Sequence, residues 1–450
     1  MINSINKKQS LYQYFVRNKV HIAPLISFRI FFGLMLFGST LRFILNGWIE
    51  QLYITPTYFF SYYGFEWIKP LSPNLLYVFF GVMLLAALAV MLGFLYRLSA
   101  LLLFITFSYI ELIDRTNYLN HYYFVSLVCF IIIFLPLAKS FSLDNVLFKR
   151  ENYTQVPAIS VNIIKVMLGV VYFYAGFAKV NHAWLIDAQP LKIWLSSKQH
   201  FPIVGNLLTK TFTAYLFSWF GCIFDLTIFF FLSWKKSRPI AYCFVIVFHV
   251  ATRLLFPIGM FPFIMIVSTT IFFSTTTHIK LQEKLFRFNW NKVKTKIYDF
   301  AFPKLVEIAF ILFISFQIVF PLRYLLYKGN IFWTEEGYRF SWRVMLMEKA
   351  GMATFFVTNQ DGSQKVIVQN DKYLTPYQIK MMSTQPDMIV AYAHFIGDTY
   401  TKMGYENPKV FVDAFVSLNG SKSKRFIDNT VDLMKEKDSF KHKTWILDEN

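Results

Sequence analysis

Residues Val171–Trp184 read VYFYAGFAKVNHAW, an apolar, aromatic-rich helical run that closes on a single amine, Lys179. A lysine at the edge of a membrane span either snorkels to water or is held there for chemistry. A buried amine that loses its proton is a base, and one that keeps it needs a partner. Which of these applies depends on whether the run crosses a membrane, and on what else reaches its end.

The composition answers the first question. The chain has 450 residues, of which 56% are hydrophobic, 20% aromatic and only 16% charged. Soluble domains average about a quarter charged, so this balance implies a polytopic α-helical membrane protein. The formal net charge is +19, but the cations sit in short connections between apolar runs. That is the pattern of cytoplasmic loops, and nucleic acid is not an expected partner. Cys129, Cys222 and Cys243 all lie inside apolar runs, which implies neither a disulfide framework nor a metal site. The N-terminus lacks the order of features that marks a cleaved signal peptide.

A hydrocarbon core about 30 Å thick needs roughly 20 apolar residues per helix. Suitable runs fall at 24–46, 74–96, 98–114, 122–138, 161–178, 214–234, 239–256, 258–277 and 305–327, which predicts nine transmembrane helices. One set of connections carries Lys7, Lys8, Arg17 and Lys19, then Arg97, then Lys139, Lys149 and Arg150, then Lys235, Lys236 and Arg238, then a basic stretch from Lys280 to Lys304. These hold about eighteen Lys and Arg, against about seven in the alternate set. The positive-inside rule then puts the N-terminus in the cytoplasm and, with an odd number of spans, the residues after 327 outside. On this topology His121, Lys179 and His249 all fall at the outer membrane face. The compact length and the lack of paired outer cysteines favour a bacterial inner membrane and periplasm over an ER lumen.

The chain divides into a transmembrane helical domain, 1–327, and an outer α+β domain, 328–450. In the latter, VIVQ (366–369) and VFVDAFVSL (410–418) alternate as strands do, and Pro376–Met403 reads as helical with Gly404 as its stop. KEKDSFKHK (435–443) reads as a solvated surface or tail.

Seven segments, in order along the chain, resemble the vitamin K-dependent γ-glutamyl carboxylase family, within the wider group that shares its horizontally transferred transmembrane domain. They are MLGFLYRLSALLL (91–103), IDRTNYLNHYYF (113–124), VYFYAGFAKVNHAW (171–184), SRPIAYCFVIVFHV (237–250), LLFPIGMFPFIM (254–265), WTEEGYRFSWRVML (333–346) and VFVDAFVSLNG (410–420). The resemblance implies an enzyme that couples oxidation of reduced vitamin K (phylloquinol or menaquinol) to its epoxide by O2 with carboxylation of glutamate by CO2. A neutral lysine would start quinol oxidation, and no metal is implied. An amine with a free pKa near 10.4 is almost wholly protonated at pH 7, and burial lowers such a value. An apolar pocket would exclude water from the reactive species.

The resemblance further implies Lys179 as the base, Asn120 and His121 near the quinol oxygens, and His249 as a further active-site histidine. It implies Tyr172, Phe261 and Met265 around the quinone ring. Trp333, Tyr338, Ser341 and Trp342 would lie beside a glutamate-containing peptide or protein, with Lys349 at a carboxylate-holding position. Ala178 stands where the animal enzymes have a second lysine. Met347 and Lys349 stand where they have a histidine and an arginine, so the quinol half of the site follows the pattern and the glutamate half departs from it.

Blander readings stand beside these. Without the resemblance, Lys179 snorkels and the two histidines are satisfied polar groups packing helices. Asp225, an acid inside the sixth run, reads as a structural ion pair or helix-to-helix hydrogen bond with no partner assigned. The rival functions are an uncoupled vitamin K quinol epoxidase or oxygenase, the same base chemistry on a non-protein acid, and a non-catalytic quinone- or lipid-binding membrane protein.

Overall fold

A computed structural model describes residues 10, 12–301 and 303–449; Lys7 and Lys8 of the basic N-terminal cluster lie outside them. The principal helices are α1 Ala23–Leu45, α2 Pro73–Leu92, α3 Tyr96–Ile113, α4 Asn120–Phe134, α5 Ile159–Phe177, α6 Thr211–Ser233, α7 Arg238–Leu255, α8 Phe261–Thr269, α9 Thr275–Phe286, α10 Pro303–Val319, α11 Pro376–Met382 and α12 Pro386–Lys402. Among the described residues, seven helices are long and apolar enough to cross a membrane, or up to eight if the bent pair α8–α9 is one span. The expected nine are not reached, for two local reasons. The run 122–138 is α4, only 15 residues long. Leu135 precedes Pro136 and takes an extended backbone, which ends the helix. The run 258–277 breaks after a short turn at Thr270–Phe272. There Ser274 accepts a hydrogen bond from the Thr277 N–H and starts α9 at 115° to α8.

Two close approaches organise the bundle. Gly93, at φ +68°, ends α2 in the left-handed conformation, and a Cβ there would lie 2.3 Å from the Arg29 guanidinium. The Asp144 carboxylate then starts α3 by accepting from the Leu95 and Tyr96 N–H groups at 2.7 and 3.2 Å. At the second, a Cβ on Gly176 of α5 would lie 2.7 Å from the Leu226 nitrogen of α6. Only a glycine lets the two backbones meet so closely. That contact sets the distance between Lys179, just past α5, and Asp225 on α6.

Strands β1 Lys19–His21 and β2 Gln155–Pro157 form a small antiparallel pair at the start of α1. The main sheet is β3 Lys349–Thr358, β4 Val366–Ile367, β5 Lys409–Leu418 and β6 Lys424–Arg425, in the order β4-β3-β5-β6. Strand β5 alternates strictly, burying Val410, Val412, Ala414, Val416 and Leu418 against α12. VIVQ contributes only the two residues of β4, and the long strand β3 takes its place beside β5. The expected helix over 376–403 is two helices, because Pro386 has no N–H to continue the ladder and opens α12 instead. Gly404 does follow its end, at φ +99°.

The hydrophobic core of this sheet is shared with the bundle's connections. Trp184, Leu191, Leu208 and Phe256 pack into the same cluster as Phe355, Ile389 and Val412. The stretch 435–443 is only partly a solvated surface: Lys435, Lys437 and Lys441 are exposed, but Asp438 reaches the buried Arg115 at 2.5 Å.

Candidate active site

The chain turns sharply just after α5, and this turn fixes Lys179. Its N–H bonds back to the Gly176 carbonyl at 3.0 Å, and Asn181 caps the next short helix by accepting from the Trp184 N–H at 2.9 Å. The Lys179 side chain therefore runs back along α5. Its Nζ donates to Asp225 Oδ2 at 2.6 Å and to the Ala175 carbonyl at 3.0 Å, with the Trp184 ring 5.5 Å away. Lysine and aspartate are both buried. The amine does not snorkel, and the acid inside α6 is its partner.

This pair sits in the wall of an apolar cavity of about 700 Å³, counting its open mouth. Tyr172, Trp184, Phe248, Phe261 and Met265 line it, with Val344 and Met345 closing it from the segment before β3. The Tyr172 hydroxyl is 3.1 Å from His249 Nε2, and His249 Nδ1 is buried without a partner. Phe261 stands between two histidine rings, 5.4 Å from His249 and 5.8 Å from His121.

On the far side of Phe261 lies a polar cavity of about 1330 Å³, again including its opening. The two cavities share Ile258, Phe261, Val344 and Met345. His121, in the first turn of α4, lines the polar cavity, and its Nε2 is buried without a hydrogen bond. Asn120 is occupied by protein at both ends of its amide: Tyr118 donates to Oδ1 at 2.9 Å, and Nδ2 donates to the Arg343 carbonyl at 2.7 Å. Arg115, Arg339, Arg343, Lys349 and Lys380 bring five cations to this cavity, against the carboxylates of Glu335 and Glu348.

Most of these cations are committed. Asp387 at the start of α12 binds Arg115 at 3.1 Å and also Arg339. Burial raises the Asp387 carboxyl, but Arg115 and Arg339 outweigh it and hold the group well below the usual carboxylate range. Lys349 donates to Glu335 at 2.8 Å and to the carbonyls of Trp333 and Thr384 at 2.7 and 3.1 Å. Burial still pulls its ammonium below the ordinary lysine range.

The segment that carries Tyr338 to Met345 is held in an unusual backbone. Glu335, Phe340, Trp342 and Met345 all have φ between +52° and +60°, a conformation that side-chain-bearing residues rarely adopt and that surrounding contacts must enforce. The enforcing contacts are visible. The Phe340 N–H donates to the Tyr118 hydroxyl oxygen at 2.8 Å, and Trp342 stacks on Tyr123 at 4.8 Å.

Of the residues singled out from sequence, Lys179, Tyr172, Phe261 and Met265 line the apolar cavity, and Asn120, His121, Tyr338 and Lys349 line the polar one. His249 reaches the apolar cavity's wall through Tyr172. Trp333, Ser341 and Trp342 line neither. Trp333 donates to the Leu447 carbonyl at 2.8 Å and packs on Phe426, Ser341 donates to the Tyr338 carbonyl, and Trp342 is fully buried against Tyr123. Three features had no sequence prediction: the Asp225 partner, the Arg115–Asp387–Arg339 network and Arg343. The one signal for the first was an acid inside an apolar run.

Two family models match the chain. The HTTM domain covers residues 17–276, and the vitamin K-dependent gamma-carboxylase lumenal domain covers residues 302–450. The chain belongs to the vitamin K-dependent γ-carboxylase family. No solved structure matches it. A vitamin K-dependent carboxylase-like membrane protein is an enzyme of carboxylase type, and its family implies reduced vitamin K. The apolar cavity fits that group chemically. It offers aromatic and aliphatic walls for a ring and its tail, the Tyr172 side chain, and an amine at one wall.

Proposed function

We propose that this protein oxidises reduced vitamin K, as phylloquinol or menaquinol, and couples that oxidation to carboxylation of a glutamate side chain. The observation that carries the reading is the buried Lys179–Asp225 pair in the wall of an apolar cavity that shares Phe261, Val344 and Met345 with a cation-lined one. When bound, reduced vitamin K supplies, with O2, the strong base that glutamate deprotonation requires before CO2 is added. The protein's own task begins with one proton. At 2.6 Å, Lys179 Nζ can pass a proton to Asp225 Oδ2, and in a low-dielectric site the neutral amine–acid pair competes with the ion pair. The freed Nζ lone pair then accepts a hydroxyl proton from the cavity. Tyr172 holds His249 in place, His121 faces the polar side, and Phe261 and Trp184 keep water from the amine.

The same reading places the N-terminus in the cytoplasm and the β3–β6 sheet outside, in a bacterial inner membrane facing the periplasm. The excess of Lys and Arg on the alternate connections and the match of 302–450 to a lumenal domain support it. It divides the chain at 327/328, where the turn Phe320–Leu326 ends the last apolar segment.

A second reading, an uncoupled quinol epoxidase, is favoured by the full engagement of Lys349 with Glu335, Trp333 and Thr384. Purified protein in detergent, given reduced vitamin K and O2, is expected to form epoxide, and Lys179→Ala to abolish it; absence of epoxide from the wild type would end both readings. Labelled CO2 with glutamate-containing peptides separates them. Label in the peptide supports carboxylation, and epoxide without label supports the uncoupled enzyme.

A further inference from the structure

We infer that Arg343 is the residue that binds the carboxylate of the acidic substrate, and that Lys349 is a structural cation. This rests on the carboxylase reading above for the identity of the acid. Arg343 lines the polar cavity and is only 6% exposed. Its Nε has no hydrogen-bond partner, and among the described residues it forms no salt bridge. Every other buried cation of the cavity has a carboxylate: Arg115 and Arg339 share Asp387, and Lys349 has Glu335.

Lys349 is excluded by its own stoichiometry. An ammonium has three donors, and all three are accounted for by Glu335, Trp333 and Thr384. Arg343 is held by other means. Its guanidinium lies 4.3 Å over the Tyr324 ring and 5.8 Å from the Phe332 ring. Aromatic faces steady the plane of an arginine without using up its edge. Its carbonyl is tied to Asn120 at 2.7 Å, and its neighbours Trp342 and Met345 are in the left-handed region. A backbone fixed this firmly presents the side chain in one place.

The location suits the chemistry. Val344 and Met345, the next two residues, belong to the wall common to both cavities. An acid held at Arg343 therefore stands next to the partition behind which Lys179 lies. A buried cation without a counter-charge is unfavourable, and a carboxylate that fits its planar fork relieves that state with two parallel hydrogen bonds. The ligand class this selects is a side-chain carboxylate on a peptide or small acid, and it disfavours the isosteric amide.

The test is direct binding in detergent without quinol, by calorimetry. The probes are a capped pentapeptide with one central glutamate and its glutamine counterpart. The wild type is expected to prefer the glutamate peptide at least tenfold. Arg343→Gln is expected to weaken glutamate binding by about thirtyfold or more and to erase the preference. A wild type without preference, or an Arg343→Gln protein that keeps it, overturns the inference. Should Arg343→Gln fail to give a cooperative melt, Arg343→Lys decides. At least fivefold weaker glutamate binding with unchanged glutamine binding supports the planar fork, and unchanged glutamate binding overturns it. Wild-type epoxide formation, measured separately, reports on the carboxylase reading. The two can fail independently.

Discussion

In the apolar cavity the polar groups close on one another: Lys179 on Asp225, and Tyr172 on His249. In the polar cavity on the other side of Phe261, cations outnumber carboxylates, and among the described residues Arg343 forms no salt bridge. Self-satisfied pairs suit proton transfer, because a proton moves between them without any change of net charge. An unpaired cation suits recognition, because it gains most from a partner of opposite charge. One wall thus separates a cavity whose polar groups are paired from one with a cation to spare.

The sharpest way to break this contrast is to remove the amine. Lys179→Ala is expected to lower epoxide formation at saturating quinol by about 10² to 10⁴-fold, the usual range for a lost general base. A variant that retains more than a tenth of the rate would return Lys179 to a packing role. Next in size is the network that mounts the C-terminal domain on the bundle. Asp387→Asn leaves Arg339 beside a neutral amide and Arg115 with Asp438 alone, and a loss of about 3 kcal/mol in stability is expected, read as a lowered melting temperature in detergent.

The same carboxylate gives a pH signature. Its value in the folded protein is depressed, so its contribution is complete above the unfolded value of about 3.9 and is lost as pH falls below that. Melting temperatures between pH 6 and pH 3 are expected to fall on the acid side in the wild type, and less so in Asp387→Asn. Parallel profiles would show that other groups set the acid limb.

Two smaller effects sharpen the division between the cavities. Tyr172→Phe removes the one partner of the His249 ring, and about 1 to 3 kcal/mol of destabilisation is expected, with weaker quinol binding by fluorescence quenching. A change in glutamate-peptide affinity instead would mean that the two sites are not separate. Asn120→Ala frees the Arg343 carbonyl and is expected to cost about 1 kcal/mol and to weaken the glutamate peptide a few-fold. Unchanged peptide binding would show that the strained segment is held by Trp342 alone.

The helical bundle was readable because hydropathy reports long buried or lipid-facing runs, and each of the nine runs does contain helix. What hydropathy misses is how such runs end: one residue before Pro136 stops α4, and one capping serine turns α8 through 115° into α9. The helix-end residues His121 and Lys179, grouped by the sequence at one level, line two cavities that share Phe261. The pairing of Lys179 with Asp225 was not, since it depends on the glycine contact between α5 and α6 rather than on either residue's neighbours. The segment 335–345 was the least legible. Its left-handed residues follow no period, so nothing in the sequence distinguishes the buried Trp342 from the cavity-lining Arg343 beside it.

Asn120 is also a mechanical part. Its amide grips the carbonyl of Arg343, and the next residue along its own chain is His121, whose ring centroid lies 5.8 Å from that of Phe261. One hydrogen bond and one peptide unit therefore join the Arg343 backbone to the partition between the cavities. On the proposed reading, an acid arriving at Arg343 pulls on the same short linkage that ends at Phe261.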